Sequence, residues 1–182
     1  MKLNDTKTIN ADRATVWAAL LNPDVLMACV PGCQEMTGSP DAGFEAVVVQ
    51  KVGPVKATFK GAVSLTDRVA PESLTISGEG KGGAAGFAKG VAEVRLEAVG
   101  DQTILHYDVE AKVGGKLAQL GSRIIDGFAK KMADQFFQSF QDAVGAPVQE
   151  TPAAAAPATD GRLASEVGTQ KEKGWFKRLI GG

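Results

Sequence analysis

The sequence predicts an α+β fold in which a curved antiparallel sheet wraps around one long C-terminal helix. Three observations predict it. Residues 2–9, and later several segments between residues 44 and 113, alternate apolar and polar side chains, which is typical of strands with one solvated face. Signals for two short helices follow the first of these segments, over residues 12–29. From about residue 116 to residue 143, apolar residues recur with helical spacing.

The first elements are a strand and two short helices. Lys2–Ile9 alternates as a strand, and Asn10 or Asp12 then supplies the N-cap of a helix with an apolar stripe. The Asn-Pro-Asp sequence at residues 22–24 breaks this helix, because proline cannot continue it. A second short helix is predicted from there to about Cys29.

The strands in the middle of the chain share an inward-facing set of apolar residues, with charged residues such as Lys51, Lys60 and Glu93 on the outer face. The inward set consists of Phe44, Ala46, Val48, Gln50, Val52, Val55, Ala57, Phe59, Gly61, Val63, Leu65, Leu74, Ile76, Val94, Leu96, Leu105, Tyr107, Val109, Ala111 and Val113. Such a sheet buries one face and leaves the other in water.

A long helix is predicted from about Lys116 to Ala143, and its apolar arc carries Leu117, Leu120, Ile124, Ile125, Phe128, Met132 and Phe136. This order of elements is that of a helix-grip fold: one strand, two short helices, a meander of strands and a long helix. A curved sheet around one amphipathic helix leaves an apolar cavity between them. The residues predicted to line this cavity are Val48, Gln50, Phe59, Ile76, Phe87, Val94, Leu96, Leu105, Tyr107, Leu120, Ile124, Phe128, Met132 and Phe136.

Residues 1–144 resemble the family of the carbon monoxide dehydrogenase G subunit. The similar segments are Gly78–Gly90 with Val91–Leu96, Val113–Asp126 with Lys131–Phe137, Val30–Cys33 and Gly53–Val55. The resemblance implies the START-like (SRPBCC) superfamily of helix-grip folds, which has a deep apolar cavity and no shared chemistry.

The resemblance also implies a function. Members of the family accompany molybdenum-containing hydroxylases of the CO dehydrogenase type. The implied role is to recruit such an enzyme to the cytoplasmic membrane and to bind an isoprenoid quinone, with no covalent cofactor. Two alternatives stay open: a ligand-free assembly factor for such an enzyme, and an enzyme of the same fold class. Since the inward positions are apolar and the carboxylates alternate outward, the residues favour a non-catalytic protein.

Charge and cysteine content exclude some other functions. With 20 basic and 21 acidic residues the net charge is −1, which argues against a general nucleic-acid binder. Because no signal peptide and no run of about 18 apolar residues is present, we expect a cytoplasmic protein, peripheral on the inner face of the membrane.

Cys29 and Cys33 flank a Pro-Gly turn. Since the one histidine, His106, is distant in sequence, a simple turn is favoured over a metal site or a redox pair.

Three features of the domain allow more than one interpretation. The glycine-rich segment of residues 78–90 lacks the ending of a phosphate-binding loop, so a bend in a strand or close approach to a ligand is favoured. His106 falls on the polar face of its strand, which argues against general-base catalysis. Tyr107 points inward, either as a plain core residue or as the polar group that meets a ligand carbonyl.

The C-terminal part differs in composition from the domain. Residues 145–170 are rich in Ala and Pro and are predicted to be a disordered linker, which as a flexible coil reaches roughly 25–30 Å. Residues 171–182 predict an amphipathic tail with aromatic and aliphatic side chains on one side and cations around them. Its predicted membrane-contacting residues are Trp175, Phe176, Lys177, Arg178, Leu179 and Ile180. Docking of the same apolar side into a groove of a partner protein is the alternative.

Overall fold

The computed structural model describes residues 1–145 of the chain, and seven strands of this part form one antiparallel sheet. The strands are β1 (Lys2–Ile9), β2 (Cys33–Ser39), β3 (Gly43–Val52), β4 (Val55–Val69), β5 (Ser73–Lys81), β6 (Phe87–Val99) and β7 (Gln102–Gly114). Their order across the sheet is β1-β7-β6-β5-β4-β3-β2, so β2 to β7 form a meander and β1 closes the far edge. The predicted antiparallel sheet is confirmed.

Two short helices, α1 (Arg13–Leu20) and α2 (Pro23–Cys29), follow β1 as predicted. Asp12 is the N-cap of α1, because its Oδ1 accepts a hydrogen bond of 3.0 Å from the Thr15 amide. Asn22 caps α2 in the same way, and Pro23 occupies the first turn, where its missing N–H costs nothing.

The long C-terminal helix α3 spans Ser122–Gly145 and starts later than the sequence predicts. A short 3₁₀ turn, Ala118–Leu120, comes before it, and Gly121 separates the two with a φ of +85°. Because a residue in this conformation cannot be part of a right-handed helix, the predicted start near Lys116 is wrong.

The glycine-rich segment of residues 78–90 comprises the end of β5, a turn and the start of β6, whereas the sequence predicts a bend within a strand. A 3₁₀ turn, Gly83–Ala85, carries the chain across, and Gly86 follows with a φ of +108°. A Cβ at Gly86 would lie 2.0 Å from the carbonyl oxygen of Gly114. Only glycine therefore fits here, and its fit holds the turn against the end of β7.

Strand β2 was not predicted from the sequence. It lies at the edge of the sheet, pairs only with β3, and contains a register shift between Cys33 and Glu35. An edge strand with a bulge does not keep a strict period of two, so its sequence lacks the alternating pattern.

The main core lies where the sheet packs against α1 and the C-terminal half of α3. Val16 and Phe140 are fully buried there, and Leu74 and Leu105 are almost so. A smaller cluster around Val52, Leu117 and Ile125 closes the other end of the sheet. The two clusters fix α3 across the sheet at both of its ends.

Candidate functional site

A cavity of about 560 Å³ lies between the inner face of the sheet and α3. Its volume falls within the range of about 300–1,000 Å³ that is usual for small-molecule sites. Strands β3 to β7, helix α2 and helix α3 all contribute lining residues. Among the described lining residues, Gln50 and Tyr107 alone have polar side chains. The cavity is therefore suited to a largely apolar ligand with few polar groups.

The structure brings together most of the predicted lining residues around this cavity. They are Val48, Gln50, Phe59, Ile76, Val94, Leu105, Tyr107, Phe128, Met132 and Phe136. Their placement follows from the alternation of β3 to β7 and from the apolar arc of α3. That these residues hold a ligand stays a prediction.

Four predicted lining residues lie elsewhere. Phe87 is 42% exposed on the outer face, because it has the same strand parity as Lys89. Leu96 points inward but is buried in the main core at the far end of β6. Leu120 packs in the smaller cluster from the 3₁₀ turn, and Ile124 is 42% exposed at the start of α3. These placements correct the predicted lining set.

Several lining residues were missed by the sequence analysis. They include the small residues Gly80, Ala88, Ala92, Ala129 and Ala133, together with Leu20, Leu26, Val30 and Pro31 from the segment that contains α1 and α2. The strand residues could have been found, since Ala88 and Ala92 have the same parity as Val94. No sequence signal indicates that the end of α2 reaches the cavity, because tertiary packing alone places it there.

Gln50 is one of the two polar groups of the cavity wall. Its Nε2 donates a hydrogen bond to the carbonyl oxygen of Pro31 and so ties β3 to the turn after α2. A glutamine side chain has two N–H donors and one acceptor oxygen, so hydrogen-bonding capacity remains for a ligand.

Tyr107 is the second polar group, and it is 7% exposed. Its ring stacks on Phe137 of α3 with a centroid distance of 5.0 Å. Burial raises the pKa of the phenol, and the nearby Asp5 carboxylate raises this pKa further, so the hydroxyl stays protonated near neutral pH. Within residues 1–145 this hydroxyl makes no hydrogen bond, and no buried polar side-chain atom there lacks a partner. The hydroxyl is therefore not fully enclosed, and it lies near the charged groups of Asp5, Lys7 and Asp134.

An ion-pair cluster beside Tyr107 links β1 to α3. Lys7 Nζ lies 2.9 Å from Asp5 Oδ2 and 3.2 Å from Asp134 Oδ1, and Lys130 Nζ lies 3.4 Å from Asp134 Oδ2. The hydrogen bonds from Lys7 and Lys130 lower the pKa of the Asp134 carboxyl. The same contacts attach the middle of α3 to the edge strand, next to the cavity wall.

Replacing Asp134 by asparagine is expected to lower the free energy of unfolding at neutral pH. Because the folded pKa of Asp134 is below its ordinary value of 3.8, the ion pair stabilises the fold above that pH and its contribution is lost as the pH falls through the folded pKa. The difference between the wild type and Asp134→Asn should thus shrink in acid, as urea denaturation at several pH values measures. A difference that is constant down to the most acidic pH would contradict this assignment.

Within residues 1–145, the histidine and the two cysteines do not form a reactive centre. His106 lies on the outer face, with Nδ1 3.1 Å from Thr6 Oγ1 and Nε2 3.3 Å from Glu97 Oε2. Both cysteines are free, and burial raises the pKa of the Cys29 and Cys33 thiols, which disfavours the reactive thiolate. In the described part of the chain, no group of three or more His, Cys, Asp or Glu residues could hold a metal ion.

The predicted linker and tail, from residue 146 onward, lie outside the described residues. Up to residue 145, none of the helices combines the length and the apolar character that a membrane span requires.

The fold is shared with many solved structures. A conserved protein from Geobacillus kaustophilus is 26% identical, with a TM-score of 0.75 over 80% of this chain and 95% of that chain. A START superfamily protein from Mycobacterium smegmatis is 12% identical, with a TM-score of 0.59 over 79% of this chain and 97% of that chain. These similarities confirm the predicted START-like fold.

Sequence comparison identifies the family. No curated protein matches the chain significantly. The family model that describes the G subunit of carbon monoxide dehydrogenase (CoxG) matches residues 6–145, which is most of the chain and all but the first few of the described residues. The chain therefore belongs to the CoxG family, the family of the carbon monoxide dehydrogenase G subunit.

Proposed function

We propose that this chain is a non-catalytic accessory protein that carries an isoprenoid quinone in its cavity. In this role it recruits a molybdenum hydroxylase of the CO dehydrogenase type to the inner face of the cytoplasmic membrane. The observation that carries the proposal is a cavity of about 560 Å³ with only two polar side chains among its described lining residues. A very apolar molecule needs such an environment to cross water. Membership of the family supplies the link to the enzyme.

The composition of the cavity wall supports a carrier over an enzyme. Acid–base or nucleophilic catalysis needs paired reactive groups that face the substrate. Among the described lining residues there is no His, Cys, Asp, Glu, Lys or Ser. The carboxylates near Tyr107, Asp5 and Asp134, are held in ion pairs with Lys7.

The two polar side chains suit a ligand that carries hydrogen-bond acceptors. A quinone ring has two carbonyl oxygens, and Tyr107 and Gln50 are the described lining residues whose side chains carry O–H or N–H donors. The remaining lining is suited to an isoprenoid chain. Of the two roles that the sequence allows for Tyr107, we propose that it is the polar group that meets a ligand carbonyl.

The Tyr107→Phe variant is expected to bind quinone more weakly than the wild type by about 0.5–1.5 kcal/mol, since one hydrogen bond is lost while the shape is kept. The affinity is measured by titration with a short-chain quinone, with tryptophan fluorescence as the signal. Tyr107 packs on Phe137 through its ring, so the stability of the fold should change little. Equal affinities of the two proteins would remove Tyr107 from the ligand site.

The decisive test is organic extraction of the full-length protein, purified from a quinone-producing host, followed by mass spectrometry. The proposal expects one quinone per chain. Extracts without quinone or prenyl lipid would refute the carrier function. They would favour a ligand-free assembly factor for the same enzyme.

The tail of residues 171–182 is proposed as the membrane anchor of this carrier. Its sequence combines Trp175 and Phe176 with Lys177 and Arg178, a composition that is typical of interfacial segments. A tail of this kind would keep the carrier at the membrane, where quinone is found.

A further inference from the structure

Three pairs of lysines lie directly opposite one another on the outer face of the sheet. The pairs are Lys51 and Lys56, Lys60 and Lys81, and Lys89 and Lys112, and all of these side chains are exposed. All three pairs lie toward the end of the sheet that carries the β3–β4 and β5–β6 turns. We refer to these six residues as the lysine face.

The lysine face is an electrostatic cost for the isolated protein. Like charges directly opposite on neighbouring strands destabilise a sheet. Of the six lysines, Lys81 alone has an ion-pair partner within the described residues, and this partner is Glu79 at 3.2 Å. Glu79 lies directly opposite Lys89 on the same face and Glu110 lies two residues from Lys112 on β7, so these two carboxylates offset part of the lysine charge. The net charge of the whole chain is −1, so the remaining cationic surplus is local. An anionic surface pressed against this face would remove the repulsion.

The lysine face is also the outer side of strands that line the cavity. On all five strands, a residue directly adjacent in sequence to a lysine points inward and lines the cavity; on β4 this residue is Phe59, beside Lys60. On the other four strands, the neighbours are Val52 beside Lys51, Gly80 beside Lys81, Ala88 beside Lys89, and Val113 beside Lys112. Cations therefore surround the strand ends at one end of a cavity that is suited to an apolar ligand.

Exposed apolar side chains accompany the cations. Phe87 is 42% exposed and Val91 is 44% exposed, and both lie on the same face as Lys89, two residues to either side of it. Cations around exposed aromatic and aliphatic groups are typical of surfaces that touch the membrane interface. A purely electrostatic contact with an acidic protein would not require Phe87 to be exposed.

We propose that the lysine face docks on an anionic phospholipid bilayer, with Phe87 in the interface, when the cavity exchanges its ligand. This inference rests on the proposed function for its ligand, but the surface itself is distinct from the C-terminal tail. The lysines bind the lipid phosphates, and the adjoining end of the cavity lies close to the membrane, where an apolar ligand can pass without crossing water.

The test compares two full-length variants that lose the same charge. Lys89→Gln/Lys112→Gln changes the lysine face, and Arg95→Gln/Lys131→Gln changes exposed cations elsewhere that form no ion pair within residues 1–145. Co-sedimentation with phosphatidylcholine vesicles that contain about 30% phosphatidylglycerol measures the affinity. The first variant should bind roughly 20- to 30-fold more weakly than the wild type, and the control variant should differ from it by less than about threefold. Pure phosphatidylcholine vesicles, or roughly 0.5 M salt, should abolish the difference.

Either of two results would overturn the proposal. One is equal binding of the two variants to anionic vesicles. The other is unchanged vesicle binding by Lys89→Gln/Lys112→Gln together with loss of binding to the partner enzyme, which would assign the face to an acidic protein. Thermal unfolding should show a stability close to that of the wild type, because the variant removes both the repulsion between Lys89 and Lys112 and the attraction between Lys89 and Glu79.

Organic extraction of the same preparations separates the two proposals. If the extract contains quinone but the two variants bind vesicles equally, only the proposal for the lysine face is refuted. Absence of quinone refutes the carrier function, while the vesicle data still decide the lysine face.

Discussion

Ala92→Phe is expected to reduce the quinone retained by the purified protein by at least about tenfold, which corresponds to about 1.4 kcal/mol of binding free energy. Ala92 lies in the middle of β6, opposite Ile76 and Val109 of the neighbouring strands, and lines the cavity. A phenyl group at this position occupies space that the ligand needs. Because Ala92 faces the cavity and not a close-packed core, the larger side chain fits without the strain of overpacking.

A matched substitution controls for the added bulk. Ala62→Phe adds the same group on the outer face of β4, where Ala62 is exposed, and should leave the quinone content unchanged. Ala129→Phe fills the cavity from the side of α3 and should act like Ala92→Phe. Full retention of quinone by both cavity variants would place the ligand outside this cavity.

Phe140→Ala is expected to lower the free energy of unfolding by about 3–5 kcal/mol, because a fully buried aromatic side chain is lost and a void remains. Phe140 is 0% exposed and belongs to the main core, where its ring stacks on Phe136 at 5.7 Å. Urea denaturation with a two-state analysis measures the change.

Phe87→Ala is the matched control for this variant. Since Phe87 is 42% exposed, its loss should cost less than about 1 kcal/mol. Phe140 does not line the cavity, so the quinone content per folded molecule should stay that of the wild type. Similar destabilisation by the two substitutions would contradict the assignment of the main core.

The elements with a strong local pattern could be predicted from the sequence. Alternation in β3, β4 and β7 assigned Val48, Phe59 and Tyr107 to the inner face, and the structure places them around one cavity. The bounds of β1 were also predicted, because Leu3 and Ile9 lie on one face of the extended segment Lys2–Ile9. Patterns of this kind depend only on neighbouring residues, so they are present in the sequence itself.

Other features depend on residues that are distant in sequence. Ile124 could not be assigned to a face until Gly121 set the start of α3, whereas the outward position of Phe87 could have been found from its parity relative to Val94. The contribution of α2 to the cavity arises from its packing against α3 and the sheet, which no local pattern encodes.

By itself, the sequence determined which face of each regular strand is apolar, and that a sheet and a long amphipathic helix must pack together. The tertiary structure alone decided which strand residues stand opposite one another. It thereby decided that Lys60 faces Lys81 and that Lys89 faces Lys112. The physical reason is that periodicity is a local property of the chain, whereas register and cavity shape result from contacts between segments that are far apart in sequence.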